Sequence, residues 1–242
     1  MDMQKTLQLM KELEQYDSGT IANVVAGYPK REKYCIGIYD PWSVNWYTDN
    51  TLQNLFPQKG ARVGFAATCI QTLPNPGFQG LTMNDFLKSI SRTPSPTIAV
   101  IEVQLPDALK NRAATIGGNI MTAAKTLGVV GCITNGQGRD VVELDETGVV
   151  CMTAGLSPAH GDMIVSAVDV PVTVGQMDVM PGDIIHMDVS GAVKFPARYL
   201  EEVAARCRIL CEYEAGYQQR MRTAQSFEEL MAARKVDIST LK

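Results

Sequence analysis

The sequence predicts a mixed α/β fold. Apolar runs rich in β-branched residues, which are typical of buried strands, occupy 62–68, 97–104 and 129–134. Helical patterns fall between them, at 82–90 and in the Ala-rich stretch 117–128. The second pattern begins with a glycine and ends with one. Strands that alternate with helices in this way are typical of a sheet covered by helices.

The N-terminal part of the chain predicts two helices and an aromatic segment. The patterns favour a helix from Met3 to Tyr16 and a shorter one from Ser18 to Val25, with Ser18 as its N-cap. The turn-rich stretch from Tyr28 to Asn54 holds three large aromatic side chains, which favour packing or a subunit interface over a lid: Trp42, Trp46 and Tyr47.

A hairpin and a long helix are predicted in the C-terminal part. Alternation of apolar and polar residues from Val170 to Val189 predicts a hairpin centred on 180–183, where a Pro-Gly pair suits a type II turn. The period of the stretch from Pro196 to Arg222 predicts a long helix, and Ser226 is the expected cap of a final helix, 227–235. One face of the long helix is apolar and suits either a subunit interface or the core of the same chain: Leu200, Val203, Ile209 and Leu210.

The composition is that of an ordinary globular enzyme. The chain has 242 residues, 45% hydrophobic and 20% charged, which predicts one domain, 1–242, with a helical tail, 197–242. The net charge of -4 argues against nucleic acid as a partner, because phosphate binding needs clustered Lys and Arg. Since no apolar run could span a bilayer and residues 1–15 lack a signal pattern, we expect no membrane partner and a cytoplasmic location.

The cysteines and histidines do not form a metal-binding motif. The six cysteines lie in apolar surroundings without a Cys-x-x-Cys pair, so we expect buried free thiols: Cys35, Cys69, Cys132, Cys151, Cys207 and Cys211. The last two are one helical turn apart, but a metal site there would lack a nearby histidine. His186 alternates with apolar neighbours and is expected to be structural, whereas His160 lies in a loop and is the less favoured candidate for a pocket.

The most informative segment runs from Gly117 to Asp140. Gly117 and Gly118 precede the Ala-rich helix and leave its first N–H groups unshielded, at the positive end of the helix dipole. A carboxylate binds well at such a helix start. The glycine-rich turn 135–138 can adopt positive φ and deliver the next two side chains at the end of a buried strand.

Those two side chains are Arg139 and Asp140. The guanidinium of Arg139 offers a planar fork of donors that suits a carboxylate or an enolate oxygen, while Asp140 offers the hard oxygens that a divalent cation prefers. Together they could hold a small anion and a metal ion in one place. The alternative interpretation is a solvated surface ion pair, which contributes little.

The run from Gly118 to Asp140 resembles the signature of the RraA-like family. That family comprises class II 4-hydroxy-4-methyl-2-oxoglutarate/4-carboxy-4-hydroxy-2-oxoadipate aldolases, regulators of ribonuclease E activity and proteins formerly labelled dimethylmenaquinone methyltransferases. The similarity extends, with gaps, from about Leu13 to Ala233, and further stretches follow the family's order: 59–68, 170–175, 180–185 and 188–196. It implies a layered β/β/α fold of the swivelling-domain kind with a C-terminal helical tail, and homotrimers or hexamers with the pocket between subunits.

The resemblance also implies a reaction. Aldolases of this family cleave a 4-hydroxy-2-oxo dicarboxylate to pyruvate and also decarboxylate oxaloacetate, with Mg²⁺ or Mn²⁺ stabilising the enolate. By their position in the motif, Arg139 and Asp140 are the expected catalytic residues, Arg139 binding the keto or enolate oxygen and Asp140 holding the metal. The pyruvyl carboxylate would bind at the backbone of the helix start: Gly117, Gly118, Asn119 and Ile120.

Three positions depart from the family's pattern. Gly118 stands where active aldolases usually carry a carboxylate that orders a metal-bound water. Asn23 and Ser190 stand where relatives often have acidic residues. One source of a replacement acid is the C-terminal helix of a neighbouring subunit, at Glu212 or Glu214.

These departures keep a second function open, that of a non-catalytic protein which binds and inhibits ribonuclease E through an acidic ring surface, as some relatives do. The intact pair Arg139 and Asp140 favours the aldolase. The sequence leaves the natural substrate open, because the loops expected to contact its far end, 74–80 and 157–162, carry no diagnostic pattern.

Overall fold

The structure is a computed structural model that describes residues 2–28 and 33–235. The aromatic segment 28–54 and the tail 197–242 therefore lie partly outside the described residues. Eight α-helices occur in the described ranges: α1 (Met3–Leu13), α2 (Ser18–Val25), α3 (Met83–Ile90), α4 (Asp107–Lys110), α5 (Gly118–Thr126), α6 (Val141–Thr147), α7 (Leu200–Thr223) and α8 (Phe227–Arg234). Short 3-10 turns occur at Pro57–Lys59 and, directly before α7, at Ala197–Tyr199.

Thirteen strands occur in the same ranges and form three sheets. The strands are β1 (Gln53–Asn54), β2 (Arg62–Thr72), β3 (Thr97–Gln104), β4 (Ala114–Ile116), β5 (Val129–Thr134), β6 (Gln137–Gly138), β7 (Val150–Thr153), β8 (Gly155–Leu156), β9 (Ile164–Val168), β10 (Val172–Val174), β11 (Met177–Val179), β12 (Ile184–Met187) and β13 (Ala192–Phe195). The large sheet has the order β1-β7-β5-β3-β2-β12-β13, with β9 also paired to β2. Its four central strands, β7, β5, β3 and β2, run parallel to one another. The strands β4, β6 and β8 form a separate small sheet, and β10 and β11 form another.

The two faces of the large sheet pack against different layers. Ala67 and Ala99 point to the side covered by α3, α5 and α6, while their neighbours Ala66 and Ile98 point to the β10-β11 hairpin on the other side. A third cluster fills the space between β12, β13 and the helices α1, α2 and α7. The expected β/β/α layering and the helical C-terminal region are therefore confirmed. No helix in the described part of the chain combines the length and apolarity that a membrane crossing requires.

The predicted hairpin at 170–189 is wrong in its pairing. The tight turn falls at Gly175 and Gln176, where β10 pairs with β11, and both residues have positive φ. The turn at 180–183 exists with Gly182 at φ +82°, but it leads into β12, which pairs with β2 and β13 in the large sheet. Alternation identified the faces of β10 and β11 correctly, but β12 is buried on both faces, and the pattern gave no information on the partners of these strands.

The expected N-cap of α2 is also wrong. The side chain of Asp17, not Ser18, caps the helix by accepting a hydrogen bond from the N–H of Thr20 at 2.6 Å. Ser18 instead donates its backbone N–H and its hydroxyl to the carboxylate of Asp188, at 2.7 and 2.8 Å. The cap at Ser226 is confirmed, since its hydroxyl accepts from the N–H of Glu229.

Burial decides the open alternative for the apolar face of α7. On α7, Leu200, Val203 and Leu210 are buried against the chain's own α1 and α2, so that face belongs to the core of this chain rather than to a subunit interface. In the aromatic segment, Trp46 is buried and stacks on a neighbouring tyrosine, whereas Trp42 is 91% exposed.

Replacing Asp188 by alanine is expected to destabilise the fold by about 2–4 kcal/mol. The buried carboxylate accepts three hydrogen bonds, two from Ser18 and one from the N–H of Ser190, and these join α2 to the turn after β12. Urea unfolding measures the loss. The exposed cap variant Asp17→Ala, at the same helix end, should cost only about 1 kcal/mol; equal losses in the two variants would contradict this account.

Candidate active site

The candidate site lies at the carboxyl ends of two adjacent parallel strands. β4 and β6 pair with Ile116 opposite Gly138, and the backbone N–H of Arg139 extends the pairing by donating to the carbonyl of Ile116 at 3.1 Å. The chain leaves β4 through Gly117 into α5, and it leaves β6 through Arg139 and Asp140 into α6. Because parallel strands end at the same edge, the predicted site residues come together there.

Asp140 has the unusual backbone of this site. Its φ is +56°, a left-handed conformation that costs roughly 1 kcal/mol in a non-glycine residue and that aspartate tolerates better than most. The positive φ expected in the turn 135–138 does not occur there, because Gln137 and Gly138 form the strand β6. The residue with positive φ is Asp140. Oδ2 of Asp140 accepts from the N–H of Gly118 and lies near Nε of Arg139, both at 3.3 Å.

Gly117 leaves room for the close approach of these two side chains. A Cβ at this position would lie 2.6 Å from Oδ2 of Asp140 and 3.2 Å from Nε of Arg139. Both side chains remain about one-third exposed, at 34% and 33%. They are therefore held against the start of α5 and still accessible to a small ligand.

Gly118 makes room for a second carboxylate, that of Glu143. A Cβ on Gly118 would overlap Oε2 of Glu143 and lie 2.7 Å from its Cβ. Glu143 stands in the first turn of α6, where a negative charge is favoured by the helix dipole. The sequence identified a missing acid at position 118 and overlooked that the next helix fills the same space.

A cleft of about 240 Å³ adjoins Arg139 and Asp140. Five of the predicted site residues line it, namely Gly117, Asn119, Ile120, Arg139 and Asp140, while Gly118 contributes its N–H to Asp140 behind them. His160, the less favoured histidine, also lines the cleft, because the loop after β8 folds back across β4 through the bond from Ala114 N–H to the Ala159 carbonyl.

The other sequence candidates lie elsewhere. His186 is fully buried in β12, where burial lowers its pKa and Nε2 lies 3.0 Å from the carbonyl of Tyr16, so its structural role is confirmed. Asn23 lies in α2 and Ser190 in the turn after β12, away from the residues that line the cleft.

A family model for the Aldolase/RraA domain matches residues 42–194. This span covers more than half of the chain and includes every residue that lines the cleft. The chain belongs to the RraA-like family. The resemblance inferred from the motifs is thereby confirmed.

Similar proteins agree with this family. Over 83 residues the chain is 32% identical to a protein of Paraburkholderia phytofirmans (strain DSM 17436 / LMG 22146 / PsJN) and 35% identical to one of Burkholderia mallei (strain SAVP1). Both carry the provisional name 4-hydroxy-4-methyl-2-oxoglutarate aldolase. The match covers 34% of this chain and spans about half the length of these curated relatives, 51% and 50%.

Solved structures share the RraA-like fold. A protein of Pseudomonas syringae pv. tomato str. DC3000 superposes with a TM-score of 0.71 at 17% identity, over 93% of each chain. A Streptomyces coelicolor protein, described as an unusual member of the RNase ES inhibitor RraA protein family, superposes with a TM-score of 0.62 at 22% identity, over 88% of this chain and 96% of that one. At these identities the likeness establishes the fold alone.

The residues of this RraA-like site fit an open metal site better than a closed one. Among the described residues, no group of three or more His, Cys, Asp or Glu side chains is arranged to enclose a metal ion. Mg²⁺ often binds through only one or two carboxylates, with water and substrate completing its shell. Asp140 meets that requirement.

The cysteines do not offer a second metal site. None of the six, all within the described ranges, is in a disulfide, and all but Cys211 are buried as expected. Burial raises the pKa of the Cys207 thiol, which disfavours the thiolate that a metal needs. The expected buried free thiols are thus confirmed for five of the six positions.

Proposed function

We propose that this protein is a divalent-metal-dependent lyase that cleaves a 4-hydroxy-2-oxo acid to release pyruvate, with decarboxylation of oxaloacetate as a side activity. The observation that carries the proposal is the convergence of Arg139, Asp140 and the start of α5 at one cleft. A guanidinium, a carboxylate and helix-start amides are the groups that a 2-oxo acid and its metal ion require.

The start of α5 would hold the carboxylate of the 2-oxo acid. The first amides of a helix have no acceptor inside the helix, and the Gly118 amide already donates to Asp140. The backbone amides of Asn119 and Ile120 remain available, and both of these residues line the cleft. Arg139, in the same cleft, would donate to the 2-oxo oxygen, where negative charge develops.

Asp140 would hold Mg²⁺ or Mn²⁺, which supplies a Lewis acid that stabilises this developing charge. In the cleavage, the bond between C3 and C4 breaks, the C4 hydroxyl loses its proton and becomes a carbonyl, and C3 takes up a proton to complete pyruvate. A residue must therefore accept one proton and return one. We propose Glu143 for this step, acting through a water molecule because it does not itself line the cleft, since its carboxylate occupies the space that a side chain at position 118 would fill.

We also propose that the chain forms a homotrimer or a hexamer, as other family members do. Light scattering coupled to size-exclusion chromatography tests the assembly. Glu212 and Glu214, on α7, remain candidates for a carboxylate given to a neighbouring subunit.

Pyruvate release tests the function directly. Lactate dehydrogenase and NADH report pyruvate formed from 4-hydroxy-4-methyl-2-oxoglutarate, 4-hydroxy-2-oxoglutarate or oxaloacetate, with Mg²⁺, with Mn²⁺ and with a chelator. We expect turnover above the metal-only background, lost with the chelator. Turnover absent on all three substrates would overturn the proposal and favour the non-catalytic, ribonuclease-binding alternative.

A further inference from the structure

We propose that a second pocket, separate from the cleft beside Arg139 and Asp140, binds a zwitterionic amino acid with an uncharged polar side chain. In this arrangement Asp49 binds the ammonium group of the ligand and Lys110 binds its carboxylate. The pocket shares no lining residue with the cleft, so the inference is independent of the proposed lyase function.

The pocket lies at the carboxyl ends of the central parallel strands of the large sheet. It has a volume of about 450 Å³, and it is lined by Glu102 near the end of β3, Asn135 directly after β5 and Ala154 directly after β7. Ligands of parallel sheets usually bind at this edge, where the chain leaves each strand in a separate loop. Asn135 and Ala154 also precede β6 and β8, so the pocket and the candidate active site lie at opposite ends of the small parallel sheet.

Lys110 is an unpaired cation in this pocket. It is half-buried at the end of α4, yet it makes no hydrogen bond or ion pair with any described residue. A lysine that is partly removed from water usually gains a counter-charge, because its ammonium group loses hydration. The two carboxylates of the lining do not supply it, since neither Asp49 nor Glu102 forms an ion pair with Lys110 in the described part of the chain. An anionic group of a ligand would supply it.

Asp49 has one occupied and one free carboxylate oxygen. Oδ1 accepts from the backbone N–H of Thr51 at 3.0 Å and from its hydroxyl, while the N–H of Asp49 donates to the carbonyl of Gly175 at 2.8 Å. Oδ2 has no partner among the described residues, and neither this atom nor Nζ of Lys110 is fully buried. The carboxylate is therefore fixed in position with one oxygen accessible to a donor.

The remaining wall is polar and is held by hydrogen bonds within the protein. The carboxylate of Glu102 accepts from the N–H of Thr173 at 2.7 Å and from the side-chain amide of Gln104 at 2.8 Å. The amide oxygen of Asn135 accepts from the N–H of Val103 at 2.6 Å. In the described lining, two further side-chain amides keep a free NH₂ group: Asn111 and Gln176. An uncharged polar side chain of the ligand can accept from these groups.

The charges of the pocket select the class of ligand. A simple anion would meet two carboxylates and a simple cation would meet Lys110, whereas a zwitterion matches both signs. No aromatic side chain occurs among the described residues of the lining, so a nucleobase or a sugar ring has no face on which to stack. An α-amino acid carries its ammonium and carboxylate groups on adjacent carbon atoms and meets both requirements.

Calorimetric titration tests the requirement for both charges. The probes are L-serine, L-threonine, L-asparagine and L-glutamine, each beside its decarboxylated and its deaminated analogue; for L-glutamine these are 4-aminobutanamide and 5-amino-5-oxopentanoate. With a chelator present, at least one amino acid should bind with a Kd about tenfold or more below those of both its analogues. Absence of binding by all of these amino acids up to about 10 mM, or an analogue that binds as tightly as its amino acid, would overturn the proposal.

Charge-removing variants locate the ligand. Asp49→Asn keeps the acceptor for Thr51 and should raise the Kd of the amino acid about tenfold, while that of the deaminated analogue stays within about twofold. Lys110→Met should raise the Kd of the amino acid by a similar factor and leave that of the decarboxylated analogue unchanged. Equal losses for the amino acid and the analogue would indicate a structural defect and overturn the assignment.

Matched controls remove the same charges outside the pocket. Asp107→Asn on α4 and Lys88→Met on α3 change exposed side chains that do not line it, and both should leave every Kd unchanged. Arg139→Ala tests the cleft as the alternative site, because its guanidinium could bind the carboxylate of an amino acid. Amino-acid binding should persist in that variant. Its loss would place the ligand in the cleft and overturn the proposal.

Discussion

Asp140→Ala is expected to lower kcat/KM for pyruvate release at least about a hundredfold. The change removes the carboxylate that lies in the cleft beside Arg139 and at the start of α5, where the metal ion is proposed to bind. The side chain is one-third exposed and its removal costs the Gly118 amide one long hydrogen bond of 3.3 Å, so the fold should survive. The coupled pyruvate assay at saturating Mg²⁺ measures the effect.

A metal-binding measurement separates this role from a structural one. Titration of Mn²⁺ followed by electron paramagnetic resonance should show a bound ion in the wild type and none at the same concentration in Asp140→Ala. Asp145→Ala removes an exposed carboxylate from α6, the helix that follows Asp140. It is the matched control and should retain both metal and turnover. Wild-type Mn²⁺ affinity in Asp140→Ala would show that the metal is held elsewhere.

Arg139→Lys should complement that result. Lysine keeps the positive charge but loses the planar fork, so turnover should fall with little change in Mn²⁺ binding. A variant that lost the metal and not the rate would reverse the roles assigned to Arg139 and Asp140.

Local patterns predicted the individual elements well. The strands at 97–104 and 129–134 have the expected bounds, because a short apolar run between turn residues has one stable arrangement in a buried sheet. Partners were harder to predict. β12 pairs with β2, more than a hundred residues earlier in the chain, and alternation along 170–189 contains no signal for so distant a neighbour.

The same limit applies to the candidate site. Arg139 and Asp140 were predicted because they are adjacent in sequence and follow a strand, whereas Gln71 and Thr115 reach the cleft from separate strands. Only tertiary pairing brings these four residues together. His160 was underrated for the same reason, since its loop returns to β4 through a contact that no local pattern reveals.

The absent acid at position 118 is the most instructive case. A comparison of single positions counts a glycine there as a loss, yet the space above Gly118 holds the carboxylate of Glu143. Glycine is then a requirement rather than a defect, because any side chain would collide with Glu143. A carboxylate can therefore occupy this place even though the residue at position 118 has no side chain.

Moving the carboxylate from α6 to α5 tests that separation. Glu143→Gln is expected to lower kcat about a hundredfold, with a small change in KM, because the amide cannot exchange a proton. Gly118→Asp alone should also impair the enzyme, since its Cβ would overlap Oε2 of Glu143 and a third negative charge would join Asp140. The double variant Gly118→Asp with Glu143→Gly, which also removes the Cβ of residue 143 that would lie 2.7 Å from a Cβ at position 118, should recover at least about a tenth of the wild-type kcat.

The recovery must be seen in kcat and not only in stability, because relief of the overlap between two contacting positions would restore the fold without restoring proton transfer. A relocated acid should also shift the acidic limb of the pH profile of kcat, which a packing defect would leave in place. Glu146→Ala, an exposed carboxylate on the same helix, should match the wild type in every measurement. Two outcomes would contradict the catalytic role: a kcat of Glu143→Gln within about twofold of the wild type, or a double variant no faster than the slower single variant. Either would mean that Glu143 only stabilises the N-terminus of α6.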